Sequence, residues 1–251
     1  MRGILLAAGR GSRMGDLTAG RPKCLIPLGG RPLLDWQAAA LRAAGVKELG
    51  IVRGYLAHLL RPEGFALFDN PRWAETNMVA TLAAAREWLE TGPCLVSYTD
   101  ILFHPQAVRA LAGVEAELAV TYDRCWRRLW SERFPDPLAD AETFRLDPRG
   151  GLAEIGGRPG TLAEIGGQYM GLLRFSLAGW RRAAALLAGL DPVDRDRLDM
   201  TSLLRRLLAR GVAVAAVPVE GRWCEVDSEA DLRLYEAKLA AGGGWSHDWR
   251  W

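Results

Sequence analysis

Lysine is nearly missing from this chain. Only Lys23, Lys47 and Lys238 occur among 32 basic residues, and the rest are arginine. Genomic bias explains the arginines, and a lysine kept against it hints at a local need. Cysteine is sparse as well: four residues, at positions 24, 94, 125 and 224, with no CxxC pair. The three histidines, His58, His104 and His247, fall at no zinc-site spacing. These gaps exclude a disulfide scaffold and a cysteine–histidine metal site. No apolar run approaches the roughly 18 residues that suggest a membrane span. Excess charge of one sign is also lacking. The 32 basic and 30 acidic side chains leave a net of +2, too balanced for nucleic-acid binding by bulk electrostatics. The 28 glycines follow no triplet period, which rules out a collagen-like chain.

What is present is the balance of a folded globular protein. The chain has 251 residues, 49% hydrophobic and 25% charged, so apolar material suffices to offset chain entropy in one domain of generous size or two small ones. The opening MRGILLAAGRGSRMG has an arginine, then a short apolar run, then a glycine-rich turn instead of a small-residue cleavage site. A reduced, cytoplasmic protein is expected.

Residues 3–8 form a short apolar run closed by glycine, as a buried strand does. Residues 33–44 have apolar side chains at helical spacing and stop at Gly45. Strands are expected at 48–53, 65–68 and 94–98, and a helix over 77–89 capped by Thr76 or Asn77. Strand alternating with helix implies an α/β fold with a largely parallel sheet. Further on, 117–122 reads as a strand, and 123–143 is a Trp- and Pro-bearing stretch of no clear type. Residues 144–155 and 168–175 read as antiparallel strands around a glycine-rich excursion. The excursion holds Leu-Ala-Glu-Ile-Gly-Gly twice, at 152–157 and 162–167, too few copies for a repeat architecture and compatible with a hairpin-like lid. Helices at 176–189, 199–210 and 228–240 and a strand at 212–217 complete the pattern. The expected architecture is one Rossmann-like α/β domain, a mixed, mostly parallel sheet flanked by helices, spanning 1–240. A small antiparallel lid insertion occupies 123–175, and a Gly/Trp tail 241–251.

Two segments carry the first chemistry. In Leu6-Ala7-Ala8-Gly9-Arg10-Gly11-Ser12-Arg13-Met14 a strand runs into a glycine-rich turn, which can aim backbone amides at phosphate oxygens or can be a purely structural turn. It is not a Walker A loop. It is a poor dinucleotide fingerprint, because Met14 replaces the third glycine and the second strand ends in Arg53 where a ribose-binding acid belongs. Arg21-Pro22-Lys23-Cys24-Leu25-Ile26-Pro27-Leu28 follows closely enough to line the same cavity. Its cations suit a phosphate chain, or a solvated loop.

Together LAAGRGSRM and RPKCLIPLGGRPLLDWQ resemble the opening of nucleotidyltransferases that activate sugar phosphates and related phosphate esters. The segment ETNMVATL at 75–82 is similar to the asparagine-bearing helix start of the phosphocholine/phosphonate cytidylyltransferase branch. YTDILF at 98–103 resembles a strand end with a magnesium aspartate, and WCEVDS at 223–228 the second metal aspartate before a closing helix. The resemblance implies an Mg²⁺-dependent enzyme transferring CMP from CTP to a small phosphate or phosphonate monoester (phosphocholine, an aminoalkyl- or a hydroxyalkyl-phosphonate), with pyrophosphate released. It places Lys23 and Arg13 in catalysis. It places Leu6, Ala7, Ala8, Gly9, Gly11, Ser12 and Asn77 around the nucleotide, and Asp100 and Asp227 on the metal. Strand ends suit such carboxylates, although Asp100 can equally cap the helix at His104-Pro105 and Asp227 the closing helix. Glu225 is a lesser candidate.

On the acceptor side, Trp126 and Trp130 share one face if helical. Cation–π attraction makes them candidates for a quaternary ammonium, or they pack a lid on the core. Arg124 and Glu132 complete the expected acceptor set. Two other readings stay open: a sugar-1-phosphate nucleotidyltransferase using another NTP, and a catalytically silent nucleotide-sensing protein. No nucleic-acid or membrane partner is expected, and a homodimer is left open.

Overall fold

The computed structural model describes residues 1–251. The first half of the chain contains β1 (Arg2–Ala7), a small hairpin of β2 (Pro27–Leu28) and β3 (Arg31–Pro32), and α1 (Leu33–Ala43). These are followed by β4 (Glu48–Arg53), β5 (Phe65–Asp69), α2 (Met78–Ala83), α3 (Arg86–Leu89), β6 (Cys94–Tyr98), β7 (Ile101–Phe103) and α4 (Pro105–Ala112). Then come β8 (Leu118–Asp123), α5 (Trp126–Arg133), β9 (Phe144–Leu146), β10 (Leu152–Ile155), β11 (Gln168–Phe175) and α6 (Leu177–Ala188). The chain continues through α7 (Pro192–Arg197), α8 (Met200–Ala209), β12 (Val214–Val219), β13 (Trp223–Glu225) and α9 (Glu229–Ala241). No helix is long and apolar enough to cross a membrane.

Seven strands make one sheet in the order β12-β8-β11-β6-β1-β4-β5. Neighbours run parallel except at β11, which is antiparallel to both β6 and β8. Strand β1 lies near the middle with helices over both faces, so residues 4–7 are apolar without alternation. Leu5 and Ala7 enter the core on one face, with Leu33, Leu41, Val108 and Leu111 from α1 and α4. Ile4 and Leu6 enter the other, with Val79, Leu82, Leu203 and Leu207 from α2 and α8. The two-residue period of a strand thus divides the core into two layers.

Several expectations are corrected. The helix expected over 77–89 is two helices, because Ala84 and Ala85 donate to Thr81 and Leu82 three residues back and tighten the turn. Both pieces still bury one face, through Val79, Leu82, Ala85 and Leu89, and that shared face makes the stretch read as one helix. Residues 144–155 form the hairpin β9–β10, apart from the main sheet. Strand β11, counted with the lid, is instead an interior strand of the main sheet. The extra helix α7 begins at Pro192 and is capped by Asp191, whose carboxylate accepts from the amides of Val193 and Asp194.

The tail is docked. His247 and Trp249 are fully buried. His247 Nε2 lies 2.9 Å from Asp123 Oδ2 at the end of β8. Trp249 meets Trp36 edge-on at 5.9 Å, and the Trp245 indole donates to Glu132 at 3.0 Å. Gly221 shows why this contact excludes larger side chains. Its φ is +65°, and a Cβ there would lie 2.3 Å from the carbonyl oxygen of Ser246.

Candidate active site

Gly11 joins the two sequence motifs. Its φ of +68° starts a short 3₁₀ segment, Ser12–Thr18, where an α-helix would begin in a dinucleotide fold. A Cβ at Gly11 would lie 2.8 Å from Cδ and 2.9 Å from Cβ of Lys23. The glycine therefore supplies both a left-handed turn and room for the lysine stem. No backbone carbonyl takes the amides of Gly9, Arg10 or Gly11, so these donors are free to meet an anion. Leu6, Ala7 and Ala8 are buried beneath the turn. The Leu6 carbonyl accepts from Thr99 Oγ1 at 2.9 Å and the Ala8 carbonyl from the Tyr55 amide at 2.9 Å, so the strand end is firmly seated.

Pro22 turns the chain so that Lys23 points inward, leaving it 8% exposed. Its Nζ lies 3.0 Å from Asp100 Oδ2 and 2.9 Å from Asp227 Oδ1. Burial works against the ammonium, but the carboxylates of Asp100 and Asp227 outweigh it and raise its pKa above the ordinary lysine value. Lys23 is a fixed cation at neutral pH. The Arg13 guanidinium, mostly exposed, pairs with the other oxygen of Asp227.

The two aspartates are brought together by a short antiparallel pair. Strand β13 pairs with β7, matching Glu225 to Ile101 and Trp223 to Phe103, and the Val226 amide donates to the Asp100 carbonyl at 2.7 Å. Buried Gln37 of α1 donates to the carbonyls of Tyr98 and Ile101 and so clamps the turn that bears Asp100. Neither aspartate caps a helix. His104 caps α4 through its ring nitrogen, and Ser228 caps α9 in a reciprocal arrangement with Asp231. Asp100 Oδ1 is buried with no hydrogen-bond partner. An orphaned carboxylate oxygen on one of two aspartates that share Lys23 suits a hard cation such as Mg²⁺. No cluster of three or more His, Cys, Asp or Glu residues exists that could hold an ion, so phosphate oxygens of a ligand would complete the set. Glu225 stands half-buried beside the pair. Burial pushes its carboxyl up to about 7 against the opposing pull of Arg133.

Next to Asp227 and Glu225 opens a cavity of about 360 Å³. Its walls include Tyr98, Tyr169, Trp130, Glu142 and Asp199. Desolvation, then the like charges of Asp199 and Asp140, raise the Glu142 carboxyl above its usual value, with Arg205 opposing. This is a wall with an excess of negative charge.

The sequence-derived residues divide on this map. Lys23, Arg13, Asp100, Asp227 and the 6–12 turn surround one locus. Asn77 begins α2, whose Met78 reaches the cavity wall. Its own carboxamide is committed to the Met78 amide (2.7 Å) and the Arg197 carbonyl (3.2 Å). The structure disperses the acceptor set. Trp130 lines the cavity and donates to Asp140 at 3.1 Å. Trp126 lies in the core, 6.1 Å edge-on from Trp130, because the shared helix face turns inward. Arg124 is exposed and pairs with Glu220, beside a different cavity. Glu132 binds Lys238 and Trp245 on the tail side.

A model of the MobA-like NTP transferase domain matches residues 3–159. The chain belongs to this family. As a nucleotidyltransferase it also has relatives along nearly its whole length. It is 34% identical to the CTP:phosphoglutamine cytidylyltransferase of Campylobacter jejuni, over 93% of this chain and 98% of the relative. It is 27% identical to the 2-aminoethylphosphonate cytidylyltransferase of Lancefieldella rimae, over 93% and 91%. The fold superposes on the inositol-1-phosphate CTP transferase of T. maritima with a TM-score of 0.74, covering 97% of this chain and 98% of that one at 19% identity. In this nucleotidyltransferase, sequence reasoning missed Glu142, Asp199, Tyr98 and Tyr169 on the cavity wall. Tyr98 sat in view, two residues before Asp100. The others lie on segments with no motif, brought to the site by β11 and α8.

Proposed function

We propose that the protein transfers CMP from CTP to a small phosphate or phosphonate monoester bearing an ammonium group, with Mg²⁺ and release of pyrophosphate. The observation that carries this is the Lys23 ammonium, fixed between Asp100 and Asp227 at the glycine turn and beside an acidic, aromatic-walled cavity. Cytidine as the base is supported by the two relatives named above. An ammonium on the acceptor is supported by the carboxylates of Glu142 and Asp199 and the aromatic side chains of Trp130 and Tyr169 in the cavity wall. Phosphoglutamine and 2-aminoethylphosphonate, the substrates of those relatives, both carry such a group.

In the reaction an anionic oxygen of the acceptor attacks the α-phosphorus of CTP. The bond from that phosphorus to the bridging oxygen breaks, and its electron pair leaves on pyrophosphate. Two anions must meet, so the barrier is largely electrostatic. Lys23 supplies a permanent positive charge from within the protein, and Arg13 a second, more mobile one. The free amides of Gly9, Arg10 and Gly11 cradle phosphate oxygens. Asp100 and Asp227 would hold Mg²⁺, which supplies divalent charge neutralisation of the phosphates when bound.

The test is pyrophosphate release across CTP, UTP, GTP, ATP and dTTP. Each is paired with 2-aminoethylphosphonate, phosphocholine, phosphoglutamine, a hydroxyalkylphosphonate and a hexose 1-phosphate. Turnover with CTP and an ammonium-bearing acceptor is expected. Preference for the hexose phosphate with another nucleotide would replace this reading with a sugar-1-phosphate nucleotidyltransferase. Nucleotide binding without turnover for any pair would replace it with a sensing protein.

A further inference from the structure

We infer that Arg133 is a positioning residue that holds the Glu225–Ser228 segment, and with it the Asp227 carboxylate, in place for the metal and nucleotide. The inference rests on the reaction proposed above for Asp227. Arg133 is the last residue of α5, and its side chain is 1% exposed. Nη1 donates to Glu225 Oε2 at 2.9 Å, Nε to Asp231 Oδ1 at 2.9 Å and Nη2 to Asp231 Oδ2 at 3.3 Å. The guanidinium carbon lies 5.0 Å from the ring centres of both Trp130 and Phe134. Two carboxylates and two aromatic faces leave it one orientation.

Asp231 passes that constraint on. Its Oδ2 accepts from the Asp227 amide at 3.0 Å, the Ser228 amide at 2.9 Å and the Ser228 hydroxyl at 3.0 Å. Arg133 thus grips residues on both sides of Asp227 without touching it. Glu225 is held ahead of it, and behind it the acid that binds its amide. An ion pair this deeply buried contributes little net stability compared with apolar packing, but it can specify one geometry. The geometry specified here is that of the segment carrying Asp227. The same helix presents Trp130 to the acceptor cavity, so α5 ties the cavity wall to the carboxylate pair.

Only a planar fork can span both partners. Lysine offers one point charge and reaches one of them. Arg133→Lys is therefore expected to fold while loosening the 226–228 backbone. The first readout is hydrogen exchange on ligand-free protein, in which the Asp227 and Ser228 amides should exchange faster than in wild type. The second is Mn²⁺ binding in the presence of CTP, followed by electron paramagnetic resonance. Affinity should fall about tenfold, the low end for loss of a partner that orients a metal ligand. Turnover should fall through kcat and recover as the divalent ion is raised. Asp231→Asn reaches the same link from the other side, should Arg133→Lys fail to fold. Wild-type exchange at these amides, or unchanged Mn²⁺ affinity, in the folded variant overturns the inference. Failure of wild-type protein to bind Mn²⁺ with CTP would instead count against the proposed reaction, because the exchange readout needs neither ion nor nucleotide.

Discussion

The sharpest single perturbation of the site is Gly11→Ala. It adds one methyl group, removes no charge and touches no core layer. The left-handed φ of +68° costs an alanine about 1–2 kcal/mol. The new Cβ would also stand 2.8 Å from Cδ and 2.9 Å from Cβ of Lys23. The lysine stem can retreat only if Nζ leaves one of its carboxylates, which hold it at 3.0 and 2.9 Å. Strain and repacking together should lower stability by about 2–3 kcal/mol, at about 2–4 °C of Tm per kcal/mol for a chain of this size. Displacing a transition-state cation by about 1 Å should cost about 100-fold in kcat/KM. The assays are thermal melting by circular dichroism and pyrophosphate release with CTP. Gly20→Ala is the matched control, since its added methyl group would meet no heavy atom within 4 Å and its φ is ordinary; it should stay within about 0.5 kcal/mol of wild type. A folded Gly11→Ala protein with wild-type kcat/KM would refute the linkage between the turn and Lys23.

Two further outcomes follow from the docked tail and the buried acids. His247→Ala leaves Asp123 Oδ2 without its partner in a fully buried site. It should lower stability by about 1–3 kcal/mol in a denaturant titration; an unchanged midpoint would mean that the tail is held by its tryptophans alone. Burial alone would raise the Asp123 carboxyl, but the His247 bond and then the Gly221 amide hold it below its usual value, and Arg133 does the same for Asp231 against the same opposition. Both acids bind a proton less readily folded than unfolded. They therefore stabilise the fold above the ordinary carboxylate value, and that stabilisation is lost as pH falls through their lowered values. Tm measured from neutral pH to about pH 3 should fall more steeply for wild type than for Asp123→Asn. Parallel curves would show that Asp123 contributes nothing to the acid transition.

Much of the frame was legible because it is local. Buried strands such as residues 3–7 and 94–98 are short, mostly apolar runs between turns, and the helix at 33–43 has a clear period and stop. The glycine turn and the Arg-Pro-Lys segment lie within one stretch of chain, so their common cavity could be inferred from proximity. The acceptor side was legible only in part, for a corresponding reason. Trp126 and Trp130 do share a helix face, but which way that face points depends on what α5 packs against, and it packs inward. For the tail, the sequence leaves both freedom and docking through its three tryptophans open. Its glycines suggest freedom, and nothing local shows that Asp123 awaits His247 124 residues away.

By itself the sequence determined the alternation of strand and helix, the anion-ready turn, the lone lysine beside it and the two aspartates at element ends. These follow from short-range rules of period, turn chemistry and spacing. Only the tertiary structure decided that Asp100 and Asp227 meet across Lys23, that Glu142 and Asp199 line the neighbouring cavity, and that Arg133 braces the segment between Glu225 and Asp231. Those contacts are set by the pairing of β7 with β13 and by the insertion of β11 between β6 and β8. Such long-range pairings are selected by the burial of whole surfaces, a quantity no local stretch of residues encodes.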